Sequence, residues 1–359
     1  MLRLARVQTR DVPGLPDLDV RLRPLTAIIG PRSTGKSRLL AAIAWLLTGR
    51  PSLAPASAPT APCVAGELAS GEAPTRIVER SVDSRPLPPL PRCRYLTVRG
   101  RLKKGATNSS AAGAAAMVAD LERRTAERRS GEVLIVDEPE LMLTPQMQRY
   151  LYRLLRAHAE RNQVVYATRS TALLDAAHHD EIVRLDLTAA GLAVRRAPIE
   201  LLTDSERLRL SAEFDHERSE MFFATAVVLV EGQTEKQSLP AVFRALGHDV
   251  DQLGISIVEV GGKSNLPLYG RVLAELAIPF VVVFDSDRGA PAAADNAAIH
   301  AAAAGAPIFT FEPDFEAAAG LKSHEDKVIN AWRRFSLLTP ERIPPIFRAI
   351  VDAAVALAR

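Results

Sequence analysis

The sequence is poor in cysteine, in lysine and in long apolar runs, and each shortage excludes something. Two cysteines, Cys63 and Cys93, cannot build a disulfide framework. With neither a Cys-x-x-Cys nor a His-x-x-x-His spacing, a structural zinc has no ligand set, so any metal must sit on carboxylates. The histidines, including His178-His179, read as surface residues. The longest apolar stretch free of charge and proline, around Leu39–Gly49, is shorter than the ~20 residues a bilayer needs. No basic-then-apolar signal segment opens the chain, so a cytoplasmic protein without a membrane partner is the expectation. Of the 45 basic residues only 7 are lysine, at 36, 103, 104, 236, 263, 322 and 327. Each retained lysine therefore invites a reason, although arginine bias alone also follows from genome composition.

What is present is a chain of 359 residues, 47% hydrophobic and 24% charged, long enough for two domains and too apolar for disorder throughout. The net charge of +3 hides an asymmetry: residues 1–220 carry 33 basic against 26 acidic side chains, and the remainder 12 against 16. Alternating residues near the start (Leu2, Leu4, Val7; Leu18, Val20, Leu22) and the apolar run Leu25–Ile29 predict three strands. A helix from Ser37 should stop at Gly49 and Pro51. Pro51–Pro62 is low-complexity and reads as a surface loop. Weak strands near Arg76–Val82 and Arg94–Val98 are followed by a helix at Ala111–Arg128 and a strand at Val133–Val136. A helix at Gln146–Arg161, a strand at Val164–Ala167 and a helix at Thr171–Ala177 come next. Such alternation predicts a parallel sheet. After a partly helical connector from Glu200 to Glu220 the alternation restarts, with strands at Ala226–Val230, Ile255–Val260 and Pro279–Phe284 and helices at Glu235–Leu246 and Leu266–Leu276. The fold class is thus α/β, with domains expected over 1–200 and 225–359 and a connector over 201–224.

Gly30-Pro31-Arg32-Ser33-Thr34-Gly35-Lys36-Ser37 fits G-x-x-x-x-G-K-[ST] between a strand and a helix, the context that phosphate loop requires. Gly30 and Gly35 let the loop close, and backbone N–H groups through Arg32, Ser33 and Thr34 cradle phosphates. Lys36 reaches the β/γ-phosphates of ATP, and Ser37 ligates Mg²⁺. A plain glycine turn is the competing reading. The strand at Val133–Val136 runs into Asp137-Glu138-Pro139-Glu140, placing carboxylates where open α/β sheets bind ligands. Asp137 would hold Mg²⁺ through water and Glu138 would orient the attacking water; capping of the next helix is the plainer alternative.

Here the sequence resembles the ATP-binding-cassette (ABC) ATPases, in which an apolar strand ends in Asp-Glu-Pro. Three departures bear on hydrolysis. A Ser/Gly-rich signature loop is represented only by Asn108–Gly113. The expected histidine is replaced by Arg169, which could touch a γ-phosphate but cannot accept a proton. No glutamine lies between Arg50 and Tyr95. Nucleotide binding is therefore better supported than turnover.

In the second half, Glu231 follows one strand and Asp285-Ser286-Asp287 another. Alternate residues of an extended segment point the same way, so Asp285 and Asp287 are expected to share a side, with Glu231 beside them across a parallel sheet. Oxygen ligands of this kind suit Mg²⁺ or Mn²⁺. Glu231-Gly232, Asp285-x-Asp287 and Gly261-Gly262-Lys263 resemble a TOPRIM domain, a Rossmann-like parallel-sheet fold. The run Glu220–Ala224 leading into Val228–Glu235, behind an ABC/RecF-like P-loop ATPase domain, is similar to the OLD (overcoming lysogenization defect) family of ATP-dependent endonucleases.

That resemblance implies Glu231 and Glu235 on one metal, Asp285 and Asp287 on another, and an acid from Phe311–Glu316, with Glu316 preferred. It further implies a downstream lysine, Lys327 ahead of Lys322, that stabilises charge on a scissile phosphate, two-metal hydrolysis of DNA, and a setting in phage defence or DNA processing. The Gly261-Gly262-Lys263 segment reads equally as a simple turn and as a phosphate contact. Arginine-rich stretches (Arg92, Arg94, Arg99, Arg101, Lys103, Lys104; Arg123, Arg124, Arg128, Arg129) read equally as a DNA backbone surface and as solvated faces. The main alternative is an ATP-gated DNA clamp whose TOPRIM domain does not cut; a transporter ATPase leaves the acidic motifs unexplained. A homodimer, through the ATPase faces or the apolar helix Ile346–Leu357, and a partner protein complete the expectations.

Overall fold

The computed structural model describes residues 2–49, 62–70, 73–81, 87, 90–97, 109–212, 217–287, 290–321 and 327–359. Residues 51–61, Arg99, Arg101, Lys103, Lys104, Asn108 and Lys322, singled out above, lie outside them. The chain divides into two compact units, one of Met1–Leu174 with Asp180–Arg196, the other of Asp175–His179 with Ala197–Arg359.

The first unit runs β1 (Leu2–Arg10), β2 (Leu18–Arg21), β3 (Leu25–Ile29), α1 (Lys36–Thr48), β4 (Cys63–Ser70), β5 (Ala73–Ser81), β6 (Arg92–Thr97), α2 (Ser109–Ala126), β7 (Glu132–Asp137), α3 (Pro145–Ala159), β8 (Gln163–Ala167), β9 (Ile182–Thr188) and β10 (Gly191–Arg195). Two sheets result. One is antiparallel, ordered β2-β1-β4-β5; the other is ordered β10-β9-β3-β8-β7-β6 and is parallel except for β10. All five residues of β3 are buried, as expected of an apolar strand covered on both faces. Helix α1 is buried almost all round, because Leu39, Ile43 and Leu46 share one core with β1 (Leu4, Val7) and with the parallel strands (Ile28, Val133, Val165). It stops at Gly49, whose left-handed backbone (φ 68°) lets its N–H reach the Trp45 carbonyl at 2.8 Å.

The second unit contains α4 (Asp204–Ala212), β11 (Ala226–Val230), α5 (Gln233–Ala245), α6 (Val250–Leu253), β12 (Ile255–Glu259), α7 (Leu266–Glu275), β13 (Phe280–Asp285), α8 (Ala290–Ala302), β14 (Ile308–Phe311), α9 (Phe315–Ala319), α10 (Lys327–Ser336) and α11 (Pro345–Ala358). Its sheet, ordered β12-β11-β13-β14, is wholly parallel. The chain leaves β11 for β12 on one side and returns to β13 on the other, so a crevice opens at the carboxyl ends of β11 and β13. Four phenylalanines, Phe311, Phe315, Phe335 and Phe347, stack with ring centroids 4.7–6.3 Å apart and fasten α9, α10 and α11 to the end of β14. Helix α11 buries Phe347, Ile350, Val351, Ala354 and Val355 in this core, so its apolar face is spent inside the unit.

Several expectations need correction. The helix at Thr171–Ala177 is instead a pair of 3-10 turns, Thr171–Leu173 and Ala176–Glu181. Ser170 Oγ takes the N–H of Ala172 and Asp175 Oδ1 that of Ala177, so side chains replace the carbonyls a continuous helix would use. Strands β4, β9, β10 and β14 were not anticipated: charges at Arg184, Asp186 and Arg195 break the apolar pattern of β9 and β10, Gly66 and Glu67 interrupt that of β4, and β14 is only four residues long. Two histidines are buried: His158 is paired with Glu132 at 3.0 Å and His179 with the Pro198 carbonyl at 3.1 Å. Both cysteines are free, and burial pushes the Cys93 thiol up to about 12.

Candidate nucleotide site and carboxylate site

The phosphate loop sits at the carboxyl end of β3. Gly30 has φ 139°, and a Cβ there would lie 2.1 Å from the Leu185 carbonyl oxygen of β9. The glycine is thus required by its neighbour strand as well as by the loop turn. Ser33 (φ 65°) and Gly35 (φ 84°) complete the reversal, and Thr34 Oγ1 donates to the Pro31 carbonyl at 3.0 Å. Lys36, at the first turn of α1, donates to the carbonyls of Gly30 and Pro31, both at 2.7 Å. Burial, with Arg169 nearby, lowers its ammonium to about 8, against the opposing pull of Glu138, Asp137 and Glu140. Ser37 Oγ donates to Asp137 Oδ1 at 3.1 Å, bringing together the two groups expected around Mg²⁺.

Glu138, held at φ 49°, faces Arg169 at 3.6 Å, and the Arg169 N–H donates to Glu140 Oε1 at 2.8 Å. A cleft of about 320 Å³ joins these groups and is lined also by Gly14, Arg38 and Thr168. Every nucleotide-site residue singled out above except Gly30, Arg32 and Thr34 lines it. Gly14 and Arg38 were not foreseen. They come from the β1–β2 turn and from α1, and only folding puts the Arg38 guanidinium on the Pro13 carbonyl at 3.0 Å.

The carboxylate site occupies the crevice of the second unit. Glu231 follows β11, Glu235 lies in the first turn of α5 and is only 5% exposed, and Asp285 ends β13. Glu316, in α9, is also buried and pairs with Lys327 Nζ, the first residue of α10. Asp285 Oδ1 accepts the Phe315 N–H at 2.9 Å, which ties β13 to the start of α9. Burial, then Glu235, Glu231 and Glu316, push the Asp285 carboxyl up to about 7 against that N–H. Burial likewise raises Glu231 and Glu235, while the pairing with Glu316 raises Lys327.

Asp287 departs from expectation. Strand β13 ends at Asp285 and Asp287 has φ 48°, so the simple alternation of an extended segment fails. Its carboxylate faces Lys263 Nζ at 3.0 Å, and the same ammonium donates to the Asp285 carbonyl at 2.6 Å. Lys263 is buried against the Phe284 ring, so its side chain pins the aspartate turn, a use that neither reading of the Gly261-Gly262-Lys263 segment anticipated.

Among the described residues, no three His, Cys, Asp or Glu side chains are spaced to grip one ion as they stand. The donor set nevertheless fits a hard divalent cation: it is all carboxylate, and the buried Glu231 Oε2 has no hydrogen-bond partner. Among the described residues no helix is long and apolar enough to cross a membrane.

Residues 222–287 match the family described as overcoming lysogenization defect protein-like, TOPRIM domain, and residues 112–175 match an AAA domain described as putative AbiEii toxin, type IV toxin–antitoxin system. The chain is 30% identical over 255 residues to an OLD nuclease of Thermus scotoductus, covering 63% of this chain and 48% of that protein. It is 28% identical over 177 residues to the Old nuclease of Escherichia phage P2, covering 47% and 30%. The chain spans less than half the length of either relative. Among solved structures, the C-terminal region of the Burkholderia pseudomallei OLD protein aligns over 38% of this chain and 100% of its own, at 19% identity and a TM-score of 0.33. The chain thus joins a P-loop α/β domain to an OLD-like TOPRIM domain matched over residues 222–287.

Proposed function

We propose that the protein is an ATP-binding DNA endonuclease that depends on Mg²⁺ or Mn²⁺. The observation that carries this reading is the cluster of buried Glu235 and Glu316 with half-buried Glu231 and Asp285, an excess of negative charge that burial makes costly unless a cation enters. Divalent ions bound there would supply an activated water and neutralise charge on the departing 3′ oxygen. Glu231 and Glu235 would hold one ion and Asp285 the other, with Glu316 completing the set. Asp287 would join them once its carboxylate left Lys263. Lys327, part-exposed and paired with Glu316, would stabilise charge on the scissile phosphate.

In the first unit, Lys36 and the loop amides bind the triphosphate, Ser37 and Asp137 hold its Mg²⁺, and Glu138 orients water beside Arg169. Lys36 must leave the Gly30 and Pro31 carbonyls to do so. DNA is the substrate, with cytoplasmic phage defence or DNA processing as the setting. A homodimer and a partner protein remain part of the reading. Plasmid cleavage with Mg²⁺ or Mn²⁺, with and without ATP, tests it. Asp285→Ala should lower cleavage at least ~10³-fold, while Lys36→Ala should abolish ATP binding and leave metal binding at the cluster intact. No cleavage under any condition would favour the ATP-gated clamp.

A further inference from the structure

The acidic second unit contains one segment that is net basic. Between residues 327 and 348 stand five basic side chains, Lys327, Arg333, Arg334, Arg342 and Arg348, against the single acid Glu341. In the rest of the chain from Met221 onward, acids outnumber bases 15 to 7. The basic segment opens with the lysine that pairs with Glu316 at the carboxylate site.

Helix α10 is the first element of that segment, and its two faces are chemically distinct. Ala331 and Phe335 are buried against the phenylalanine cluster. The opposite face presents Ile329, Trp332, Arg333, Ser336 and, just past the helix, Leu337, at the i, i+3, i+4, i+7, i+8 spacing of a single stripe. Ile329 is 55% exposed, Trp332 51% and Leu337 78%. Three large apolar side chains left in water beside arginines need a partner that is apolar and anionic at once. Neither Arg333 nor Arg334 forms an ion pair among the described residues. A single strand of nucleic acid meets both requirements, since its unstacked bases offer flat apolar faces and its backbone offers phosphates. A closed duplex offers phosphates but hides its base faces.

We infer that the exposed face of α10 seats a single-stranded segment of the nucleic-acid substrate next to the carboxylate site, Trp332 stacking on a base and Arg333 and Arg334 contacting phosphates. Lys327 and Trp332 are five residues apart, about 7.5 Å along a helix, or roughly two base steps at B-form spacing. Lys327 also lies about 140° around the helix from Trp332, so a strand that contacts both crosses the flank between them. The inference rests on the nuclease reading for its substrate class, but it makes its own claim about strandedness and position.

The test uses the full chain carrying Asp285→Asn, so that binding is measured without cleavage, and a short fluorescein-labelled oligothymidylate as the probe. The chain has two tryptophans, and Trp45 is buried in the first unit, so quenching of exposed tryptophan emission reports Trp332. Adding Trp332→Ala should weaken single-strand binding about tenfold, and Trp332→Phe should restore most of it. Arg333→Ala with Arg334→Ala should reduce the slope of log K against log salt by about 1.4. Unchanged affinity in Trp332→Ala, or an equal loss toward a blunt duplex, overturns the inference. So does a fall from dimer to monomer mass in sedimentation with single-strand affinity unchanged, which would assign the face to a second copy. Wild-type protein that binds the strand through Trp332 but never cuts it would sink the nuclease reading alone; cleavage untouched by Trp332→Ala would sink only this one.

Discussion

The two candidate sites are built on the same plan and carry opposite charge problems. Each lies at the carboxyl ends of parallel strands, β3, β7 and β8 in one unit, β11 and β13 in the other. In the first, Lys36 and Arg169 stand among Asp137, Glu138 and Glu140, and burial draws the Lys36 ammonium down to about 8. In the second, Glu231, Glu235, Asp285 and Glu316 gather with Lys327 paired to Glu316 and Lys263 beneath the aspartate turn, and burial with mutual repulsion drives the Asp285 carboxyl up to about 7. A parallel sheet edge is therefore neutral as to ligand. The side chains placed on it decide whether it is ready for an anion or for a cation.

The largest effect that sharpens this contrast concerns the glycines at the two strand ends. Gly30→Ala puts a Cβ 2.1 Å from the Leu185 oxygen at a left-handed φ, and should cost at least about 3 kcal/mol in denaturant unfolding. Gly232→Ala meets only Glu235 Oε2 at 3.4 Å with an ordinary φ of −141°, and should cost less than about 1 kcal/mol. Equal costs would mean that the two loops are not shaped by different constraints.

The next effect is on pH. Lys36 has a folded-state pKa near 8, below its ordinary 10.5, so the nucleotide-free folded state sheds this proton before the unfolded chain does. The stability penalty of holding that charge is present below pH 8 and is relieved as pH rises from 8 to 10.5. Because triphosphate needs the charged form, ATP affinity should fall by up to about tenfold per pH unit above 8 in calorimetric titration. In Lys36→Arg, always charged, the affinity should be flat over the same range. A flat profile in the wild type would place Lys36 in a wetter site.

The smallest effect is on the metal-free cluster. Asp285→Asn keeps the oxygen that accepts the Phe315 N–H while removing a charge from among Glu231, Glu235 and Glu316. With EDTA present, its thermal midpoint should rise by ~2–4 °C, corresponding to about 1 kcal/mol. Divalent cation should then raise the midpoint of the wild type more than that of the variant. A variant that melts lower than wild type in EDTA would show that the cluster is balanced without a cation.

Much of this architecture was legible because it is local. The loop Gly30–Ser37, the apolar strands ending in Asp137, Glu231 and Asp285, and the helices that follow are each written within a few residues, where spacing and turn chemistry suffice. What escaped was set by contacts distant in sequence. Lys263 reaches the turn at Asp285 and Asp287 across more than twenty positions, and Arg38 reaches Pro13 across a comparable gap. The short 3-10 turns after Ser170 escaped for another reason, since propensity favours a helix there and two side-chain caps override it.

The sequence by itself determined which residues could bind phosphate or cation, because those motifs are contiguous and their chemistry is intrinsic to residue type. Only the tertiary structure decided how they are used. It separated Asp287 from Asp285, buried Lys263, left Glu231 Oε2 without a partner and brought Glu316 to Lys327 through the phenylalanine core. Charge balance in a buried crevice depends on which groups converge in space, and convergence is a property of packing.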